Sequence, residues 1–93
     1  MFVIAAYDIN TETKSGRARL PKLMKLMRQY LHHTQKSVFE GELTEAKFFE
    51  LQKNVEKIID NETDYVIFYK MDNKNNVKRL MYGIQFDPNE VVL

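Results

Sequence analysis

Apolar residues run unbroken from Phe2 to Tyr7 and stop at Asp8, so the chain opens on a short buried strand over 2–8. The polar stretch Asn10 to Gly16 reads as a loop. Beyond it Leu20, Leu23, Met24, Met27, Tyr30 and Leu31 recur at helical spacing and predict a helix. Pro21 suits that helix's first turn, where a missing N–H costs nothing. Residues 34–43 alternate around Val38, Phe39 and Leu43 and read as extended, either one bent strand or two short ones, with Gly41 marking a bulge or kink. Thr44 is a good N-cap, and Glu45 complements the helix dipole. Phe48, Leu51, Val55, Ile58 and Ile59 then predict a second amphipathic helix to about Asn61. Tyr65–Tyr69 reads as a strand, Asp72–Asn76 as a turn and Val77–Phe86 as a further strand closed by Pro88, leaving the apolar tail Val91-Val92-Leu93.

If 34–43 supplies two strands, the order is β-α-β-β-α-β. That is a ferredoxin-like α+β fold with an additional C-terminal strand. The additional strand either pairs with the sheet of a second copy or hairpins back onto its own. No repeat or linker divides the chain, so residues 1–93 are read as one domain. A domain this small often hides part of its apolar surface in a partner, which makes a homodimer the expectation.

Composition narrows the function classes. There is no cysteine, which excludes a disulfide framework and a thiolate zinc site. No apolar run approaches the roughly 20 residues that span a bilayer, and the first residues lack a signal-peptide pattern. The expectation is a cytoplasmic protein with no membrane partner. Net charge is only +1, but its distribution is uneven. Lys14, Arg17, Arg19, Lys22, Lys25, Arg28 and Lys36 form a wholly positive stretch, whereas acids dominate from Glu40 to Asp64. Such a split gives either one positive face for a polyanion or two solvated helix surfaces of opposite sign.

Asp8 is the first candidate for chemistry. A carboxylate at a strand end is fixed by the sheet yet open to solvent, as a hard-cation ligand must be. An Asp in this position also serves as an acceptor for loop amides. One carboxylate alone is a poor magnesium site, but two copies meeting at an axis would supply a pair. Arg17 and Arg19, read as lying just before the helix, are placed to reach phosphate, and Lys22 lies off the apolar stripe. His32 and His33 do not share a helix face and are read as helix-terminal cations. Ser37 has no base that spacing can identify. No RNA-recognition aromatic signature, zinc-finger spacing or Gly-rich phosphate loop is present.

Taken together, Tyr7-Asp8-Ile9, Arg17-Ala18-Arg19-Leu20 and the run from Gln35 to Leu43 (Gln-Lys-Ser-Val-Phe-Glu-Gly-Glu-Leu) resemble the CRISPR-associated protein two family. That family is the small subunit accompanying the integrase when new spacers are acquired. The resemblance covers nearly the whole chain. It implies a homodimer in which residues 77–93 pack on the partner, and in which Asp8 of each copy faces the other and binds magnesium or another divalent cation. It implies a metal-dependent endonuclease acting on RNA or double-stranded DNA, with Asp8 catalytic. The alternative it carries is a non-catalytic dimeric scaffold that binds duplex DNA and bridges integrase subunits. Matching positions make Tyr7, Arg17, Arg19, Ser37 and Phe39 neighbours of the metal or the phosphate, and Lys22 extends the nucleic-acid surface. His33 stands where the family pattern carries an arginine, and a neutral imidazole clamps phosphate less well than guanidinium. A small-molecule regulatory domain of the same shape would call for a Gly-rich loop, and Gly16, Gly41 and Gly83 do not form one.

Overall fold

The strand β1 (Phe2–Asp8) lies inside a four-stranded antiparallel sheet of order β2-β3-β1-β4 in the computed structural model, which describes residues 1–83. The other elements are α1 (Lys14–Tyr30), β2 (His32–Gln35), β3 (Val38–Glu42), α2 (Glu45–Ile58) and β4 (Tyr65–Met71). A single 3-10 turn follows at Lys74–Asn76. The expected β-α-β-β-α-β order is therefore present. In register, Ala5 stands between Phe39 of β3 and Phe68 of β4, and Asp8 pairs with Tyr65.

Alternation along β1 divides its side chains between two faces. Val3, Ala5 and Tyr7 point at the helices and join Leu23 and Met27 of α1, Phe39 of β3, and Leu51 and Val55 of α2 in the core. Burying side chains of this size contributes about 1.5–3 kcal/mol each. The opposite face carries Ile4 and Ala6 with their register partners Val38, Glu40, Ile67 and Tyr69, and no helix among the described residues covers it. Glu40 is the buried acid on that face, and Arg79, arriving after β4, is ion-paired to it.

Several boundaries differ from the sequence expectation. The loop over 10–16 is half helix, because Thr13 caps α1 by accepting from the Gly16 N–H. Pro21 is consequently interior to the helix, on an exposed stretch where water can serve the carbonyl it leaves unpaired. Arg17 and Arg19 are helical rather than preceding the helix. Leu31 ends α1 in extended conformation, so His32 and His33 are strand residues, not helix-terminal cations. The ladder irregularity falls between His33 and Gln35, while Gly41 pairs regularly with Val3. Thr44 caps α2 as expected, but α2 stops at Ile58 and β4 runs on to Met71. Val77–Gly83 carries no strand, and the remainder of the expected C-terminal strand lies outside the described residues.

Candidate functional site at the end of β1

The site grows from the last residue of β1. Asp8 is held by its ladder to Tyr65, yet its side chain is exposed. Beside it opens a cleft of about 400 Å³ lined by Tyr7, Asp8, Ile9, Leu20, Met24, Lys36 and Ser37. Among the described residues nothing donates a hydrogen bond or an ion pair to the Asp8 carboxylate. A charge left unpaired in the fold is one that a ligand can still pair with.

The loop-amide acceptor that spacing allowed for Asp8 is Asp64 instead. Its Oδ1 accepts the Asn10 N–H at 3.0 Å, and its Oδ2 accepts the Asp60 N–H at 2.9 Å. Arg19 donates to both oxygens, from Nε at 2.8 Å and from Nη2 at 3.2 Å. The Asp64 side chain has no exposed surface. The bound Arg19 guanidinium holds the Asp64 carboxyl down at about 2, with the two backbone N–H bonds adding to the effect against the opposing cost of burial.

The other wall of the cleft is built from the turn between β2 and β3. The Tyr7 hydroxyl donates to the Lys36 carbonyl at 3.1 Å, and the Tyr7 N–H donates to the Ser37 carbonyl at 3.1 Å. His33 Nε2 also lies 3.1 Å from the Lys36 carbonyl. A carbonyl only accepts, so Nε2 carries the proton. The His33 ring stacks on Phe39 at 4.4 Å, and Tyr7 stacks on Phe39 at 6.1 Å. Burial pushes the Tyr7 phenol up, with Arg28 opposing, so the hydroxyl stays a neutral donor rather than a base.

The expected site residues thus separate. Asp8, Tyr7 and Ser37 come together around the cleft. Phe39 does not line it: fully buried, it stacks behind Tyr7 and His33. Arg19 is spent on Asp64, with Nη1 on Ser15 Oγ at 3.1 Å. Arg17 is exposed but curls back, Nη1 donating to the Thr11 and Glu12 carbonyls at 3.1 and 3.3 Å. Lys22 is exposed on α1 and, among the described residues, has no partner. Sequence reasoning passed over Asp64, Asn10 and the Lys36 carbonyl, whose partners are distant in the chain.

The donor set suits a hard divalent cation only in part. An exposed carboxylate beside a serine hydroxyl has the right oxygen chemistry. Among the described residues, however, no three acidic or histidine side chains form a group that could hold a metal ion.

The model of the family described as CRISPR associated protein Cas2 matches residues 1–79. The chain belongs to the Cas2 family. The CRISPR-associated endoribonuclease Cas2 2 of Moorella thermoacetica is 41% identical over 88 residues, covering 95% of this chain and 97% of that protein. The CRISPR-associated endoribonuclease Cas2 of Dictyoglomus turgidum is 41% identical over 93 residues and is matched along its whole length, as is this chain. The solved structure of Streptococcus pyogenes Cas2 at pH 6.5 superposes with a TM-score of 0.73 at 38% identity, over 87% of this chain and 100% of that one. A second crystal structure titled cas2 reaches a TM-score of 0.80 at 34% identity, over 100% of this chain and 98% of that one. The ferredoxin-like topology expected from the sequence is thus the Cas2 topology. No helix among the described residues is long and apolar enough to cross a membrane.

Proposed function

We propose that this Cas2-family chain acts as a homodimer in CRISPR adaptation, cleaving phosphodiester bonds of RNA or double-stranded DNA with magnesium held between the Asp8 carboxylates of two copies. The observation carrying this reading is the Asp8 side chain, fixed by β1, exposed beside a cleft and left without a partner among the described residues. The endoribonuclease names of the Moorella and Dictyoglomus relatives support it. The uncovered sheet face with Ile4, Ile67 and Tyr69, together with residues 77–93, is the surface through which the copies would join. The cation would polarise the scissile phosphate and lower the pKa of the attacking water. Arg17, Lys22 and the neighbouring exposed lysines of α1 hold the nucleic-acid backbone, and Ser37 contributes a hydroxyl at the cleft. The reading places the protein in the cytoplasm, with the CRISPR integrase as its protein partner.

A second reading is favoured by one observation: a chain that brings a single carboxylate to the cleft also carries an exposed basic helix. Such a dimer would serve as a non-catalytic scaffold, holding duplex DNA and bridging integrase subunits. The test compares wild type and Asp8→Ala on RNA and on duplex DNA, with magnesium and with chelator. Metal-dependent cleavage by the wild type that the variant lacks supports the enzyme. Binding without cleavage by either protein supports the scaffold, and equal cleavage by both removes Asp8 from the site.

A further inference from the structure

Asp64 is a buried carboxylate for which the proposed chemistry has no use, and burying a charge is costly unless every lone pair finds a donor. Here donors arrive from three separate parts of the chain. Asn10 belongs to the segment after β1, Arg19 to the second turn of α1, and Asp60 to the connection after α2. They converge one residue before Tyr65, and Tyr65 is the ladder partner of Asp8. Asp8 is therefore bracketed on both sides: by the β4 ladder at its own position and by the anchored Asn10 amide two residues on. Gly16 completes the arrangement by letting α1 approach the Asn10 carbonyl more closely than any side chain would permit.

We infer that the Asp64–Arg19 pair is the positioning device of the Asp8 cleft, with Arg19 kept inside the fold as counter-ion instead of being offered to phosphate. The inference rests on the reading of Asp8 as the ligand-holding carboxylate. The guanidinium geometry decides the role of Arg19. Its Nε and Nη2 both engage Asp64, and Nη1 engages Ser15. Turning toward nucleic acid would leave a fully buried carboxylate without its charge partner. The Arg19 side chain is only 16% exposed, whereas Arg17 and Lys22 on the same helix are exposed. Asp64 and Arg19 are thus positioning residues, acting through the loop and strand that carry Asp8.

The experiment uses full-length protein below the melting temperature of each variant, with Mn²⁺ as the probe cation followed by its electron paramagnetic resonance signal. Arg19→Gln and Asp64→Asn are expected to weaken Mn²⁺ binding by about tenfold or more, the usual effect of losing a group that orients a ligand. Arg19→Gln is also expected to keep the wild-type slope of log affinity for duplex DNA against log salt. A residue that contacts phosphate would lower that slope by about one when removed. Should Asp64→Asn fail to fold, Arg19→Gln carries the test alone, since it leaves the carboxylate its backbone donors. Wild-type Mn²⁺ affinity in a folded Arg19→Gln protein, or a salt slope reduced by about one, overturns the inference. Asp8→Asn runs in parallel. If it binds Mn²⁺ like wild type, the reading of Asp8 fails; if it loses Mn²⁺ while Arg19→Gln does not, that reading stands and the positioning role falls.

Discussion

Arg19 Nε lies 2.8 Å from Asp64 Oδ2, joining two residues 45 positions apart and tying α1 to the start of β4. The pair explains why a stretch rich in acids contains one that is wholly withdrawn from solvent. It also makes Asp64 an identifiable contributor to the acid stability of the protein.

Asp64 holds its proton far less tightly in the fold than the ordinary 3.8, titrating at about 2. A depressed carboxyl contributes stability that is fully present above its ordinary value and is lost as pH falls through the folded value. Wild type should therefore lose melting temperature more steeply than Asp64→Asn between about pH 3.8 and about pH 2. Melts of both proteins across that window measure the difference, and parallel curves would contradict the assignment.

Gly16 sits in the first turn of α1, where a Cβ would stand 1.7 Å from the Asn10 carbonyl oxygen. The obstacle is backbone, so it cannot move aside as a flexible side chain would. Gly16→Ala should destabilise the protein by about 1–3 kcal/mol despite the better helix propensity of alanine. Urea unfolding checks this, and a variant as stable as wild type would show that the loop yields freely.

Phe39 supports the cleft wall from behind, stacked on His33 and Tyr7 with no exposed surface. Phe39→Ala should cost about 3–5 kcal/mol of stability. Phe39→Leu should cost less and, while folded, bind duplex DNA with wild-type affinity, because the ring is fully buried. A folded Phe39→Leu protein with binding selectively lost would argue that the ring becomes exposed on binding.

Local patterns in the sequence carried much of this fold. The apolar run Phe2–Tyr7, the Thr44 cap and the helical stripe from Phe48 to Ile58 each act within a few residues, and each appears where spacing placed it. The start of α1 was hidden because Pro21 imitates a first-turn proline, while the true cap at Thr13 is followed by an unfavourable Gly16. Gly16 makes sense only beside the Asn10 carbonyl, a tertiary contact. At the end of β1, the position of Asp8 was legible from the polar stop after an apolar run, whereas Ser37 entered only through the family resemblance. The role of Arg19 was not legible, since an arginine committed to a distant buried acid looks in sequence like one free to bind phosphate. His33 was hidden in the same way: its place in β2 and its stacking on Phe39 depend on where α1 stops.

If one cleavage site needs Asp8 from two copies, mixing wild type with Asp8→Asn exposes the sharing in the activity of the mixture. After exchange of subunits at equal amounts, a site shared by both copies leaves about one quarter of the activity of the same total of wild-type protein, because only wild-type pairs are complete. Independent sites in each copy would leave about one half. The expected fall follows the square of the wild-type fraction; a linear fall, or cleavage that does not change as Asp8→Asn is added, would rule out a shared site.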